Sequence, residues 1–223
     1  LLGEIIRRVS GQRIDSYVQD HFYEPLGMND TTYLPPRFRQ PRIAPTTFIK
    51  EYGLIRGEVH DPTARRMNEV AGHAGLFSTA PDIAKIMRML LNGGSIDGKF
   101  ILAPETIAFA TQNQLPPNIP YSRGLGWDIG SNFAYQRGER FPRAGFGHTG
   151  WTGTSIWADP ASQTFVILLA NRNHPSESGR IKQLRIKVGT LAGEAVGYTR
   201  AIPLAESGTE EYSTDQQTAA AAS

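Results

Sequence analysis

The residues best placed for chemistry lie in one nine-residue stretch, Gly145-Phe146-Gly147-His148-Thr149-Gly150-Trp151-Thr152-Gly153. It puts a titratable ring and a hydroxyl side by side on a glycine-framed backbone. Four glycines in nine residues weaken any regular element, so a strand here is expected where the backbone must come close to something else. An imidazole, a hydroxyl and accessible amides together suit recognition of a carbonyl or an anion. A glycine-rich hairpin with no chemistry is the plainer alternative. The run continues through Thr154-Ser155-Ile156-Trp157-Ala158-Asp159-Pro160 to Thr164-Phe165-Val166-Ile167-Leu168-Leu169-Ala170-Asn171, whose patterning predicts two more strands to bury what the first cannot.

A second cluster is formed by His60, Asp61 and His73, in Gly57–Ala64 and Ala71–Ser78, loops punctuated by glycine. The three lack the spacing of a zinc site, so no metal is expected; each histidine is expected to fix its loop by bonding backbone carbonyls. The absence of cysteine rules out thiol catalysis, disulfides and thiolate metal sites.

These stretches need positioning elements, and 223 residues suffice to bury a sizeable core. Leu1, Leu2, Ile5, Ile6 and Val9 share a helical face ending at Gly11, and Ile14, Tyr17, Val18 and Phe22 mark a second helix closed by Pro25-Leu26-Gly27-Met28. The first helix has no N-cap or leader, so residues upstream of Leu1 are expected. Residues 29 to 57 read as a long surface excursion walling a cleft. Thr79, answered by Asp82, caps a helix striped by Ile83, Ile86, Met87, Leu90 and Leu91, and Pro104 opens another helix to Thr111. Gly124–Ile129 reads as a strand and Asn132–Arg143 as a polar hairpin. Ile181, Leu184, Val188, Leu191 and Ala195 mark a helix over about 178 to 195 that can cover the sheet. From residue 201 onward the composition predicts a disordered tail.

With 23 basic against 21 acidic residues, thinly spread, there is no footprint for nucleic acid. No apolar run reaches the roughly 18 residues of a membrane span.

Several motifs, in order, resemble the superfamily of serine β-lactamases, penicillin-binding proteins and esterases, in the branch near class C β-lactamases. They are Leu2-Gly3-Glu4-Ile5-Ile6 with Val9-Ser10-Gly11, Glu24-Pro25-Leu26-Gly27-Met28, Gly72-His73-Ala74-Gly75-Leu76-Phe77-Ser78-Thr79, Gly124-Leu125-Gly126-Trp127, His148-Thr149-Gly150 and Leu169-Ala170-Asn171. Val59-His60-Asp61-Pro62 is similar to a sub-group of these hydrolases. The likeness covers residues 1 to 196 and implies an α/β fold of β-lactamase/transpeptidase type: an antiparallel sheet flanked by helices, a helical subdomain, and an N-terminal part outside this sequence. Residues 1–200 would then be the C-terminal portion of the hydrolase domain, with an uncovered sheet edge through which self-association is expected.

The resemblance further implies an acyl-enzyme that needs no cofactor, acting on an ester or a D-alanyl peptide, a small-molecule or peptidoglycan-derived substrate, in the cell envelope. Such enzymes carry a serine and lysine in S-x-x-K and a tyrosine in Y-x-N. No serine here has lysine three residues on and no tyrosine has asparagine two on, so both motifs are expected before Leu1. Only the third motif is present, with His148 where lysine is usual. By the resemblance His148 and Thr149 are catalytic, Gly150, Trp151 and Thr152 contact substrate, and the Trp151 amide completes an oxyanion hole. A neutral ester suits His148 better than an anionic lactam. The rival function is a non-catalytic binding or regulatory module on the same scaffold. Ser155 and Ser78, the internal alternatives as nucleophile, read as a packing residue and a helix-start residue.

Overall fold

Sheet and helices meet around Trp157, which is 2% exposed at the middle of a three-stranded antiparallel sheet. A computed structural model describes residues 1–199 of the chain; the tail expected from residue 201 lies outside them. The helices are α1 (Leu2–Ser10), α2 (Ile14–Val18), α3 (Glu24–Leu26), α4 (Pro62–Arg66), α5 (Ala80–Leu91), α6 (Pro104–Thr111) and α7 (Lys182–Ala195). Two small hairpins pair β1 (Thr47–Ile49) with β2 (Gly53–Ile55) and β3 (Ser95–Ile96) with β4 (Lys99–Phe100). The main sheet runs in chain order, β5 (Phe146–Thr149), β6 (Ser155–Asp159) and β7 (Thr164–Leu168), so two tight connections build it. No helix among the described residues is long and apolar enough to cross a membrane.

Alternation along the strands divides the core between the two sheet faces. Phe146, Ile156, Ala158 and Phe165 pack with Met87, Met89 and Leu90 of α5 and Ile107 of α6, and Trp127 meets Phe146 edge-on at 5.0 Å between ring centres. On the other face Trp157 and Val166 pack with Ala134, Phe141 and Ala192. Each large apolar side chain buried this way contributes about 1.5–3 kcal/mol.

The cover on that second face differs from the predicted one. Leu184 and Leu191 of α7 are exposed, and the stripe turned inward is Arg185, Gly189 and Gly193. The spacing is helical, but the residues are a cation and two glycines, because at the two glycines α7 lies directly against backbone. A Cβ on Gly189 would stand 1.8 Å from the Arg137 carbonyl oxygen, and one on Gly193 would stand 2.5 Å from that of Arg140.

Other stretches depart as well. Gly124–Ile129 is not a strand: it doubles back through a Gly124 N–H to Trp127 C=O bond and meets the sheet by one bridge, Asp128 to Gly147. The stretch expected as a polar hairpin is a packed loop with a 3-10 turn at Ala134–Arg137. Arg137 there is 4% exposed, donates to the carbonyls of Ala134, Ile129, Pro142, Arg143 and Gly145, and lies 4.8 Å over the Trp157 ring. The excursion from 29 to 57 contains the β1–β2 hairpin and a 3-10 turn at Arg37–Arg42. Thr79 does cap α5, accepting from the Asp82 amide at 3.4 Å, but the Asp82 carboxylate serves Asp30 N–H, the Thr31 hydroxyl and Lys85 instead of answering it.

Candidate active site

β5 carries the sequence motif to the sheet edge. Phe146 anchors it in the core, and two residues on, His148 comes out beside a groove of about 210 Å³ lined also by Ile83, Thr149, Gly150, Ser155, Ile156, Ile167 and Leu169. Ile83 comes from the first turns of α5, so the helix that buries the sheet also shapes this wall.

His148 has both ring nitrogens engaged. Nδ1 lies 2.8 Å from the Thr149 carbonyl oxygen and Nε2 lies 3.0 Å from Nη2 of Arg123. A carbonyl can only accept and a guanidinium can only donate, so the geometry specifies a neutral ring with its proton on Nδ1. A permanent cation therefore stands beside the histidine.

The turn after β5 is closed by its own backbone and by two arginines. Gly150 N–H donates to Thr154 C=O at 2.8 Å and Gly153 N–H to Gly150 C=O at 3.2 Å. Arg185, buried in α7, reaches through Nη2 to the carbonyls of Gly150 and Thr154, both at 2.7 Å, while its Nη1 holds Gln136 Oε1 at 2.8 Å. Burial, and after it the charge of Arg172, lowers the Arg185 guanidinium from its ordinary value. Arg172 donates its amide to Thr152 C=O at 2.7 Å and Nε to Trp151 C=O at 2.8 Å, and its guanidinium stacks 4.4 Å over the half-exposed Trp151 ring. These bonds use the amides of Gly150 and Gly153 and leave the Trp151 amide out.

His148, Thr149 and Gly150 are thus brought together at the groove. Trp151 and Thr152 do not line it: Trp151 meets Arg172 by ring and carbonyl and Thr152 meets it by carbonyl. Arg123, Arg172, Arg185 and Ile83 escaped the motif reading because each is joined to the turn by long-range packing. The local hints were that Arg123 directly precedes Gly124-Leu125-Gly126-Trp127 and that Arg172 directly follows Leu169-Ala170-Asn171.

Ser155 is buried on β6, opposite Thr149 and Leu168, and Ser78 Oγ lies 2.7 Å from Thr31 Oγ1. His60 and His73 bond carboxylates, not the expected backbone carbonyls: His60 Nε2 is 2.5 Å from Glu177 Oε1, and His73 Nε2 is 3.0 Å from Asp61 Oδ1, which also caps α4 through Ala64 N–H. Among the described residues no group of three or more such side chains could hold a metal ion.

The chain is 35% identical over 192 residues to a protein of Escherichia coli (strain K12) named "Putative D-alanyl-D-alanine carboxypeptidase", covering 78% of this chain and 43% of that one. It therefore spans under half the length of the curated relatives it matches. Among solved structures, a penicillin-binding protein homologue from Caulobacter crescentus superposes with a TM-score of 0.56 at 24% identity, over 87% of this chain and 55% of that one. A family VIII carboxylesterase gives 0.59 at 21%, over 87% and 55%. At such identities these two show a shared fold, of β-lactamase/transpeptidase type. A family model described as Beta-lactamase matches residues 1–190, a span that includes the His148 strand and Arg185, and the chain belongs to the beta-lactamase family.

Proposed function

We propose that this chain forms one wall of the cleft of a serine hydrolase that works through an acyl-enzyme on a D-alanyl peptide or an ester. The observation that carries the reading is the Gly150–Trp151 peptide: its carbonyl is held by Arg185 while its amide is left out of the turn's bonding, at the end of a strand that borders an apolar groove. Such an amide can donate to the oxyanion that forms when a serine attacks a carbonyl, and loss of one donor of this kind typically costs about 100- to 1000-fold in kcat. The attacking serine and its lysine come from residues outside these 223, since the S-x-x-K pattern is absent from them.

Arg123 bears on the choice of substrate. His148 alone, neutral as its bonding specifies, offers a carboxylate no charge, but the guanidinium 3.0 Å away does. A peptide ending in D-alanine carries the carboxylate that such a cation recognises, and a neutral ester does not. The name of the Escherichia coli relative points the same way. D-alanyl peptide is therefore the favoured substrate, with esters as secondary ones.

The test is to assay the protein at its full native length for D-alanine release from a D-alanyl-D-alanine peptide and for hydrolysis of a p-nitrophenyl ester, with labelled penicillin and intact mass reporting the acyl-enzyme. Expected are a single adduct and both activities, with Arg123→Ala raising KM for the peptide about 10- to 100-fold, the worth of one charge-assisted hydrogen bond, and leaving the ester nearly unchanged. Absence of adduct and of both activities would establish the binding-module reading instead.

A further inference from the structure

We infer that Arg185 is a positioning residue for the Trp151 amide, acting through the peptide bond that joins Gly150 to Trp151. The inference rests on the hydrolase reading for its consequence in catalysis, but not for its geometry. The Gly150 carbonyl and the Trp151 N–H are the two ends of one planar trans peptide and point in opposite directions. A donor fixed on the carbonyl therefore fixes the direction of the amide. Arg185 Nη2 is the nearer of the carbonyl's two donors, at 2.7 Å against 3.2 Å for the Gly153 amide, and it spans to the Thr154 carbonyl across the mouth of the same turn.

The bond also acts on the electrons of the peptide. A cation bound at a carbonyl oxygen draws density from the amide nitrogen, which makes the N–H at the far end a stronger donor, and linked hydrogen bonds reinforce one another by about 10–30% each. Arg185 is suited to this because water does not dilute its charge. It is 6% exposed, its Nε is buried with no partner among the described residues, and Gln136, itself 2% exposed, holds the remaining amino group at 2.8 Å. Arg172 repeats the device one peptide later, with Nε on the Trp151 carbonyl at 2.8 Å. The turn's carbonyls are thus drawn toward α7 and the loop after β7. The glycines at 189 and 193, one and two turns along α7 from Arg185, are what let that helix lie close enough to place the guanidinium.

The experiment uses the protein at its full native length, labelled with [15N]tryptophan so that few backbone amides are seen, the Trp151 signal being assigned by Trp151→Phe. In Arg185→Gln the Trp151 amide proton is expected to move upfield and its N–H vector, read from residual dipolar couplings, to lose its fixed orientation; Arg185→Lys should keep the orientation and recover part of the shift. Should Arg185→Gln fail to fold, Gln136→Leu, which loosens the guanidinium without removing its charge, is read in the same way. A Trp151 amide unmoved in shift and orientation, in Arg185→Gln or in that substitute, overturns the inference. Kinetics supply the second arm: Arg185→Gln should lower kcat at least about tenfold with KM within about twofold, the split expected when only the transition state loses an interaction, and Arg185→Lys should restore part of it. An unchanged kcat also overturns it. If the full-length protein proves inactive, the hydrolase reading falls while the tryptophan signal still decides the role of Arg185.

Discussion

Nη2 of Arg123 lies 3.0 Å from Nε2 of His148, so the first residue of the His148-Thr149-Gly150 motif is a neutral ring with a cation beside it. Replacing His148 by lysine would put two permanent cations at that distance, repelling in a partly screened setting. His148→Lys is expected to melt at a lower temperature than wild type, by a margin that shrinks as salt rises from about 10 mM to several times the ionic strength at which the Debye length is 10 Å. The double variant Arg123→Gln/His148→Lys should recover most of the loss. Thermal melts at both salt concentrations decide it, and a salt-independent loss would contradict the charge argument.

The close approach of α7 gives a prediction whose sign is opposite to helix propensity. Alanine is favoured over glycine inside a helix by about 1 kcal/mol. At position 189, however, the added Cβ would stand 1.8 Å from a backbone oxygen of Arg137, which has no rotamer by which to yield. Gly189→Ala should therefore destabilise by about 2 kcal/mol or more, in the range of overpacking, and should loosen the Arg185 clamp with it. Urea unfolding measures the first effect; a stabilised variant would show that α7 is free to move away.

This site also explains why the sheet could be read in the sequence and its cover could not. Strands β5 to β7 alternate between two buried faces, and that period survives in the residue types. In α7 the inward stripe keeps the helical spacing but consists of Arg185, Gly189 and Gly193, types that signal exposure or interruption, so the apolar Leu184 and Leu191 drew the face to the wrong side. The His148 strand was visible because its glycines and its titratable ring are contiguous. Its supports were not, since Arg185 lies 35 residues from Gly150, Arg123 lies 25 from His148, and Glu177 lies 117 from His60. Nothing local marks such pairings; only the packed fold selects them.

Asp159, fully buried at the end of β6, supplies a pH dependence. Burial pushes its carboxyl up, but the Ser162 and Tyr198 hydroxyls and the amides of Ser162 and Ala161 more than offset this and hold it below its ordinary value. A depressed folded-state value means the unfolded chain binds the proton first, so the contribution is complete above the unfolded carboxylate range, about pH 4, and is lost as pH falls through the folded value beneath it. Asp159→Asn should be less stable than wild type at pH 7 by about 1–3 kcal/mol, because an amide turns a donor toward donors. The difference should narrow as pH drops from about 5 toward 2. Urea midpoints across that range test it, a gap of constant size being the contrary result.

No serine among the described residues 1–199 should be acylated, because the hydroxyls that bond a side chain there meet other hydroxyls or aspartates, not a histidine or lysine. A hydroxyl becomes a nucleophile when a group able to take its proton lies within hydrogen-bond reach. Ser155 lines the groove but is held in β6 between Thr149 and Leu168, and the histidine across the groove has one nitrogen on the Thr149 carbonyl and the other on Arg123. Ser78 faces another hydroxyl, that of Thr31. Ser131 and Ser162 do bond carboxylates, Asp128 at 2.7 Å and Asp159 at 2.6 Å, but a carboxylate is a weak general base near neutrality, and that of Asp159 is held below its ordinary value besides. His60 and His73 are paired with Glu177 and Asp61. Incubating the 223-residue chain with a fluorophosphonate or a labelled penicillin and weighing it intact should therefore give only unmodified mass. A stoichiometric adduct, mapped to Ser155 or Ser162, would show that a base reaches one of them and that the acylating serine lies within this chain after all.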